Sequence, residues 1–180
     1  MKLLLHTCCA PCGIYPFDLL RQEGHEVTAY FYNPNIHPYT EFRRRKETLE
    51  GYAQSIDLPL IVEGDYELED FLRQVAPDPA GRCPFCYRLR LQKTAEKACE
   101  LGMDGFSTTL LISPYQDHEA LKRVGEEIGQ RAGVPFIYYD FRPGFREGQQ
   151  QARERELYRQ PYCGCIYSEK DRYYRPKGRK

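Results

Sequence analysis

Thiols are the richest source of chemistry in this chain. Seven of its eight cysteines fall in three short clusters: Cys8, Cys9 and Cys12 in HTCCAPC, Cys83 and Cys86 in RCPFC, and Cys163 and Cys165 in YCGC. Thiolates are soft ligands that select zinc, copper(I) or iron–sulfur clusters. One metal centre does not need this much sulfur, and the spare thiols point to redox chemistry.

Cys9 and Cys12, and Cys83 and Cys86, each form a C-x-x-C pair, a spacing that lets two thiolates converge on one ion or one cluster edge. Two such pairs suit tetrahedral structural zinc. Zinc-ribbon pairs, however, lie about 15–20 residues apart, whereas 70 residues separate Cys12 from Cys83. An iron–sulfur cluster is usually held by four cysteines, and Cys8, Cys9, Cys12, Cys83 and Cys86 supply that number with one left over. The spacing alone does not choose among them. Cys163 and Cys165 flank a single glycine, so a disulfide between them would close a small strained ring of the labile or catalytic kind. The pair could cycle between dithiol and disulfide, hold a second metal beside the cluster, or add two ligands to the same centre. Cys99 stands alone on a helical stretch and reads as a small apolar residue.

The bulk composition narrows the class. At 180 residues the chain is expected to form one domain with a real core. MKLLLHTCC is too short an apolar run for a secretory h-region and reads as a buried strand. No stretch approaches the ~20 apolar residues of a membrane span. A cytoplasmic protein without a membrane is therefore expected, where clustered cysteines mean metal or catalysis more often than disulfides. With 26 basic and 26 acidic residues there is no global field favouring nucleic acid. Two local basic patches stand out: Arg43-Arg44-Arg45-Lys46, and a tail bearing Lys170, Arg172, Arg175, Lys177, Arg179 and Lys180. The division expected is one α/β catalytic domain over 1–168 and a basic tail over 169–180.

Strand-like and helix-like segments alternate. Strands are expected at Lys2–His6, Val27–Tyr32, Leu58–Val62, Gly105–Leu111 and Phe136–Tyr139. Helices are expected at Phe17–Gln22, from a Thr40 cap to Ser55, at Leu68–Val75, Tyr87–Leu101, Gln116–Arg131 and Glu147–Tyr158. Glu41 and Arg45 fall at the favourable i,i+4 spacing. Such alternation predicts βαβ units and a three-layer, Rossmann-like α/β fold with a parallel sheet. Ligands in these sheets bind at the carboxyl ends of the strands, where strand order switches. HTCCAPC leaves the first strand at that edge, with Asn33 and Asn35 after the second strand and Ser113–Gln116 after the fourth.

HTCCAPC, NPNIHP, RCPFCYRLRL, TTLLISPYQ and LYRQPYCGCIYS, in this order and at these spacings, resemble the epoxyqueuosine reductase QueH family. The resemblance covers nearly the whole chain up to Ser168. It implies an adenine nucleotide alpha hydrolase-like fold and the last step of queuosine biosynthesis, in which the epoxide oxygen of epoxyqueuosine leaves as water at the tRNA wobble position. It also implies a [4Fe–4S] cluster and no cobalamin. Matched by motif, Cys8, Cys9, Cys83 and Cys86 correspond to cluster ligands and Cys163 and Cys165 to a redox-active pair. An additional iron beside the cluster is consistent with the same resemblance.

A cluster delivers electrons singly, whereas removing an epoxide oxygen takes two. The Cys163/Cys165 dithiol, or an adjacent ion acting as Lewis acid, would meet that need. Tyr115, Tyr162 or a thiol are candidate proton donors, and either tyrosine could instead pack or stack on a base. His6 is expected to satisfy a backbone group or donate to a cluster sulfur. For the tRNA anticodon loop, Asn33, Asn35, Ser113 and Gln116 offer base-reading groups. Arg88, Arg90, Lys93 and the tail offer phosphate contacts. The electron donor is not identified by sequence. Two rivals remain: a zinc-stabilised RNA-binding module, and a tRNA-sulfur transferase, which would need a glycine-rich pyrophosphate loop where this chain has HTCCAPCG.

Overall fold

The computed structural model describes residues 1–175. Lys177, Arg179 and Lys180, part of the expected basic tail, lie outside the described residues. Four parallel strands form the sheet: β1 (Lys2–His6), β2 (Glu26–Phe31), β3 (Leu60–Val62) and β4 (Gly105–Thr108), in the order β3-β2-β1-β4. Leu3, Leu4 and Leu5 are consecutive yet all fully buried. Side chains alternate between faces along a strand, so a continuous apolar run is stable only where both faces are covered. The register pairs Leu3 with Val27 on one side and with Gly105 on the other, fixing β1 at the centre.

The covering helices form two groups. α1 (Ala10–Gln22) packs with α2 (Tyr39–Ser55) and α6 (Phe145–Glu154), while α4 (Arg82–Glu100) packs with α5 (His118–Ala132) and against β1 and β4. Right-handed crossovers on either side of β1 place the two groups on opposite faces. α3 (Leu68–Val75) and α7 (Ile166–Tyr173) complete the set. β1 therefore has β2 on one flank and β4 on the other, and its carboxyl end is the switch point at which HTCCAPC leaves the sheet.

Several expected elements differ in extent, each for a local reason. The fifth strand reduces to a single bridge, Phe106 with Phe136, and Tyr139 then stacks on Phe141 away from the ladder. β4 stops at Thr108 because the Thr108 hydroxyl accepts from the Leu110 N–H at 3.1 Å and turns the chain into a 3-10 segment. α6 ends at Glu154, with Glu156 in the left-handed region at φ 53°. α2 begins before Thr40, with Pro38 in the capping position. α5 begins after Gln116, capped by Asp117, which accepts from the Ala120 N–H at 2.9 Å.

Two helices start earlier than their apolar periodicity indicates, and both changes matter to the sulfurs. α1 opens at Ala10 with Pro11 in its first turn, so Cys9 is the cap and Cys12 is helical. α4 opens at Arg82, placing Cys83 and Cys86 in its first turns on one helical face rather than in a loop. α7 was not expected. Its cap is Cys165, whose sulfur accepts from the Ser168 N–H at 3.4 Å in the role serine usually fills.

Candidate metal centre

At the carboxyl end of β1 the sulfurs of Cys8, Cys9 and Cys12 all lie within 4.8 Å of one another, and all three residues are buried. Cys8 and Cys9 Sγ are 3.7 Å apart. Cys8 leaves the strand, Cys9 caps α1 and Cys12 is one helical turn in, so three separate backbone states converge on one point. Three thiols so close cannot all ionise. Donation from Cys12 and then Cys9 to its sulfur holds the Cys8 thiol well below its ordinary range. Burial pushes Cys9 up, and the bond to Cys8 pushes Cys12 up. The trio thus carries one favoured thiolate and two protons that a metal would displace.

Donors surround these sulfurs. Gln160 Nε2 donates to Cys12 Sγ at 3.1 Å, and the Thr109 hydroxyl reaches Cys8 Sγ at 3.7 Å. The chemistry fits a metal or cluster held through thiolates: soft ligands, removed from water, with N–H and O–H groups aimed at sulfur. Among the described residues, no other three metal-binding side chains come as close together.

The second group comprises Cys83, Cys86, Cys163 and Cys165. Cys86 and Cys165 are buried together with Phe71 and Val75, and burial pushes the Cys86 thiol up to about 12. Cys83 is exposed, yet partial desolvation raises its thiol, with Cys163 and Cys165 adding to it. All eight cysteines are free thiols. Cys99, expected to be buried, is exposed and donates to the Ala132 carbonyl at 3.3 Å.

The CGC segment is fastened to α2 from a distance. Buried Arg45 donates to the Cys163 carbonyl at 2.8 Å and the Tyr162 carbonyl at 2.9 Å, and its Nε pairs with Glu41 at 2.6 Å. The Tyr158 hydroxyl donates to the other Glu41 oxygen. His37 N–H donates to the Gly164 carbonyl at 2.9 Å, and the Tyr162 hydroxyl donates to the His37 carbonyl at 2.5 Å. A Cβ at Gly164 would come within 3.0 Å of Asn35 Nδ2 and 3.3 Å of Ile36, so the NPNIH loop packs where any side chain would stand.

Between the two sulfur groups opens a cavity of about 680 Å³. Cys8, Cys12 and Cys163 line it, together with the amides of Gln116 and Gln160 and the rings of Tyr115 and Phe145. Gln116 is held by the Tyr87 hydroxyl, which donates to its Oε1 at 2.6 Å, while its Nε2 donates to Cys163 Sγ at 3.3 Å. Tyr115 is 85 % exposed and meets Phe145 edge-on with centroids 6.1 Å apart. Ser113 also lines the cavity, and its hydroxyl accepts from the Tyr115 N–H at 3.2 Å.

Other expected site residues stand elsewhere. Asn33 is buried, accepting from His6 Nε2 at 3.2 Å and donating to the Thr7 carbonyl at 2.9 Å. It ties the loop after β2 to the end of β1 and does not face the cavity. Asn35 is likewise buried, against Gly164. His6 bonds Thr108 Oγ1 at 2.9 Å and reaches the Tyr32 carbonyl at 3.3 Å, so it satisfies a backbone group; burial pulls its pKa down to about 3, keeping it neutral. Arg88 makes a two-pronged pair with Glu127 at 2.9 and 3.2 Å, away from the cavity. Arg90, expected to reach phosphate, is 1 % exposed and cannot. Lys93 is paired with Glu96 at 3.8 Å on the surface. In the first basic patch Arg45 is buried, and Arg43 and Lys46 pair with Glu47 and Glu50. Arg172 of the tail lines the cavity, and Asp171 pairs with Arg82 at 2.6 Å. Thr109, Phe145, Gln160 and the clamping role of Arg45 escaped sequence reasoning. Thr109 directly follows β4 and Gln160 lies three residues before Cys163, whereas Phe145 and the clamping role of Arg45 carry no local signal.

No helix among the described residues is long and apolar enough to cross a membrane. The fold is similar to that of the U34-tRNA thiolase NcsA from Methanococcus maripaludis, solved with its [4Fe–4S] cluster: TM-score 0.62 at 14% identity, covering 93% of this chain and 61% of that one. The epoxyqueuosine reductase QueH of Dehalococcoides mccartyi is 38% identical over 97% of this chain and 96% of its own length. The Thermotoga maritima protein of the same name is 34% identical, covering 92% of this chain and 89% of its own. The family described as epoxyqueuosine reductase QueH matches residues 3–171, with the cysteine trio, the α4 pair and the CGC segment all inside the match. The chain belongs to the epoxyqueuosine reductase QueH family.

Proposed function

We propose that this chain is an oxidoreductase that converts epoxyqueuosine to queuosine in the tRNA anticodon loop, removing the epoxide oxygen as water with two electrons and two protons. The observation that carries this reading is a cavity lined by Cys8, Cys12 and Cys163 together, at the strand switch point of a QueH-family fold. In this reading Cys8, Cys9, Cys83 and Cys86 hold a [4Fe–4S] cluster with an additional iron beside it, and what supports it is the gathering of Cys8 and Cys9, with Cys12, within 4.8 Å of one another. When bound, such a cluster supplies electrons one at a time, in the manner of iron–sulfur proteins generally.

The chain's own residues do the rest. Gln116 and Gln160 fix the sulfurs of Cys163 and Cys12 by donating to them. The Cys163/Cys165 dithiol supplies the redox partner that a two-electron step requires. The Tyr162 proton is committed to the His37 carbonyl, which leaves Tyr162 poorly placed to protonate a substrate. Tyr115, at the rim and open to solvent, is suited to stack an unpaired base rather than to act as a buried acid. Arg159 and Arg172 on the cavity wall, and the basic tail beyond the 1–168 domain, suit phosphate contacts.

The test is anaerobic purification with iron and sulfide analysis, followed by mass spectrometry of epoxide-bearing tRNA after incubation with a chemical reductant. Loss of the epoxide oxygen, abolished in Cys8→Ser, supports the reading. A colourless protein with about one zinc, no acid-labile sulfide and no conversion rejects it in favour of a zinc-stabilised RNA-binding module.

A further inference from the structure

Arg90 is a buried cation without a carboxylate. Its side chain is 1 % exposed, and Nε donates to the Cys86 carbonyl at 3.3 Å, one turn back along α4. Nη2 is shielded from solvent and meets no acceptor. Among the described residues, none of the ion pairs includes it, in contrast to the equally buried Arg45, which has Glu41. A guanidinium cannot shed its proton, and an isolated buried charge is too costly to stand unbalanced. Burial works against the Arg90 charge, yet Cys86, Cys163 and Cys8 more than offset it. Those three sulfurs come from three different segments: α4, the CGC turn and the end of β1.

We infer that Arg90 is a positioning residue whose fixed charge balances the anionic sulfur centre formed by these three segments, and whose unpartnered Nη2–H is left free for an acceptor that the bound centre would supply. This rests on the iron–sulfur reading above. Adding an electron to a centre already negative is opposed by its own charge, and a neighbouring cation and an N–H donor to sulfur both favour the reduced form. Arg90 therefore makes the centre easier to reduce. Removing its charge should lower the reduction potential and leave the fold of the sheet intact.

The experiment is potentiometric titration of the anaerobically reconstituted full chain with dithionite, followed by visible absorbance and electron paramagnetic resonance, for wild type, Arg90→Lys and Arg90→Gln. Arg90→Gln should shift the one-electron equilibrium at least tenfold towards the oxidised form, about 59 mV. Arg90→Lys keeps the charge and loses the fork of donors, and should fall between the two. Equal potentials in all three proteins at equal iron content overturn the proposal. If Arg90→Gln takes up no iron, the lysine variant decides: a midpoint below wild type supports the inference and an unchanged one overturns it. Loss of folded structure in both variants, read by circular dichroism, makes Arg90 part of the scaffold and also overturns it. Failure of the iron–sulfur reading itself shows separately, as wild type that binds no iron and sulfide, and the inference falls with it.

Discussion

The two sulfur-bearing segments that line one cavity are held in different ways. Cys8, Cys9 and Cys12 follow directly from β1, the central strand, and their positions come from backbone: a ladder on both sides, a helix cap and one helical turn. Cys163 and Cys165 lie about 150 residues further along, outside the sheet, and distant groups hold them: the side chains of Arg45, with Glu41, on α2 and of Gln116, and the backbone N–H of His37. The first group is as rigid as the core. The second depends on a set of polar contacts and on the small apolar cluster that buries Cys165, which makes it the more easily disturbed by single substitutions.

The sharpest way to break that asymmetry is Arg45→Ala. It leaves Glu41 buried and unpaired and frees both carbonyls of the CGC turn, so a loss of about 3–5 kcal/mol is expected in urea unfolding. The Cys8 trio should keep its metal content if the protein is refolded at low denaturant. Loss of bound metal in parallel with the loss of stability would mean that the trio and the CGC segment are not independently anchored.

The next effect is on pH. Burial pulls the His37 pKa from 6.5 down to about 4, and the neutral ring donates from Nε2 to the Pro34 carbonyl at 3.1 Å while Nδ1 accepts from the Ile166 N–H at 3.4 Å. The folded pKa lies below the unfolded one, so this contribution is complete above pH 6.5. It is lost as pH falls towards 4, at up to about 1.4 kcal/mol per pH unit. In His37→Gln the urea midpoint should depend less on pH across that window. An unchanged dependence would take His37 out of the clamp.

Smaller again is the removal of a sulfur-directed amide. Gln116→Ala and Gln160→Ala each delete one donor, to Cys163 and to Cys12 respectively, and each should cost about 1 kcal/mol in stability. The two should separate in chemistry: Gln116→Ala should speed alkylation of Cys163, followed by mass spectrometry, with Cys12 unaffected. Equal changes at both sulfurs would blur the division drawn here. The smallest effect is expected at Arg43→Ala and Lys46→Ala, whose exposed pairs should contribute within about 0.5 kcal/mol.

Much of the sheet was legible because its pattern is local. Three consecutive leucines can be buried only in a central strand, and Lys2–His6 and Leu68–Val75 occur at the bounds expected. The placement of HTCCAPC at the functional edge followed from strand order and strand direction. Helix starts were less legible. Cys9 holds the cap position of α1 without a side-chain bond and Cys165 caps α7 through its sulfur, where propensities favour serine and its kin, so local sequence does not mark either helix start. In the Arg43–Lys46 patch the i,i+4 spacing predicts the Glu41–Arg45 pair but says nothing of its burial.

The sequence by itself determined which chemistry is available, thiols in three clusters, and which edge of the sheet receives the first of them. Both follow from residue type and local periodicity. Only the tertiary structure decided which sulfurs meet, that Arg90 is buried rather than offered to phosphate, and that buried Arg45 has a carboxylate partner while Arg90 has none. Burial and charge balance depend on segments some hundred residues apart in the chain, and no local pattern records what folding will bring alongside.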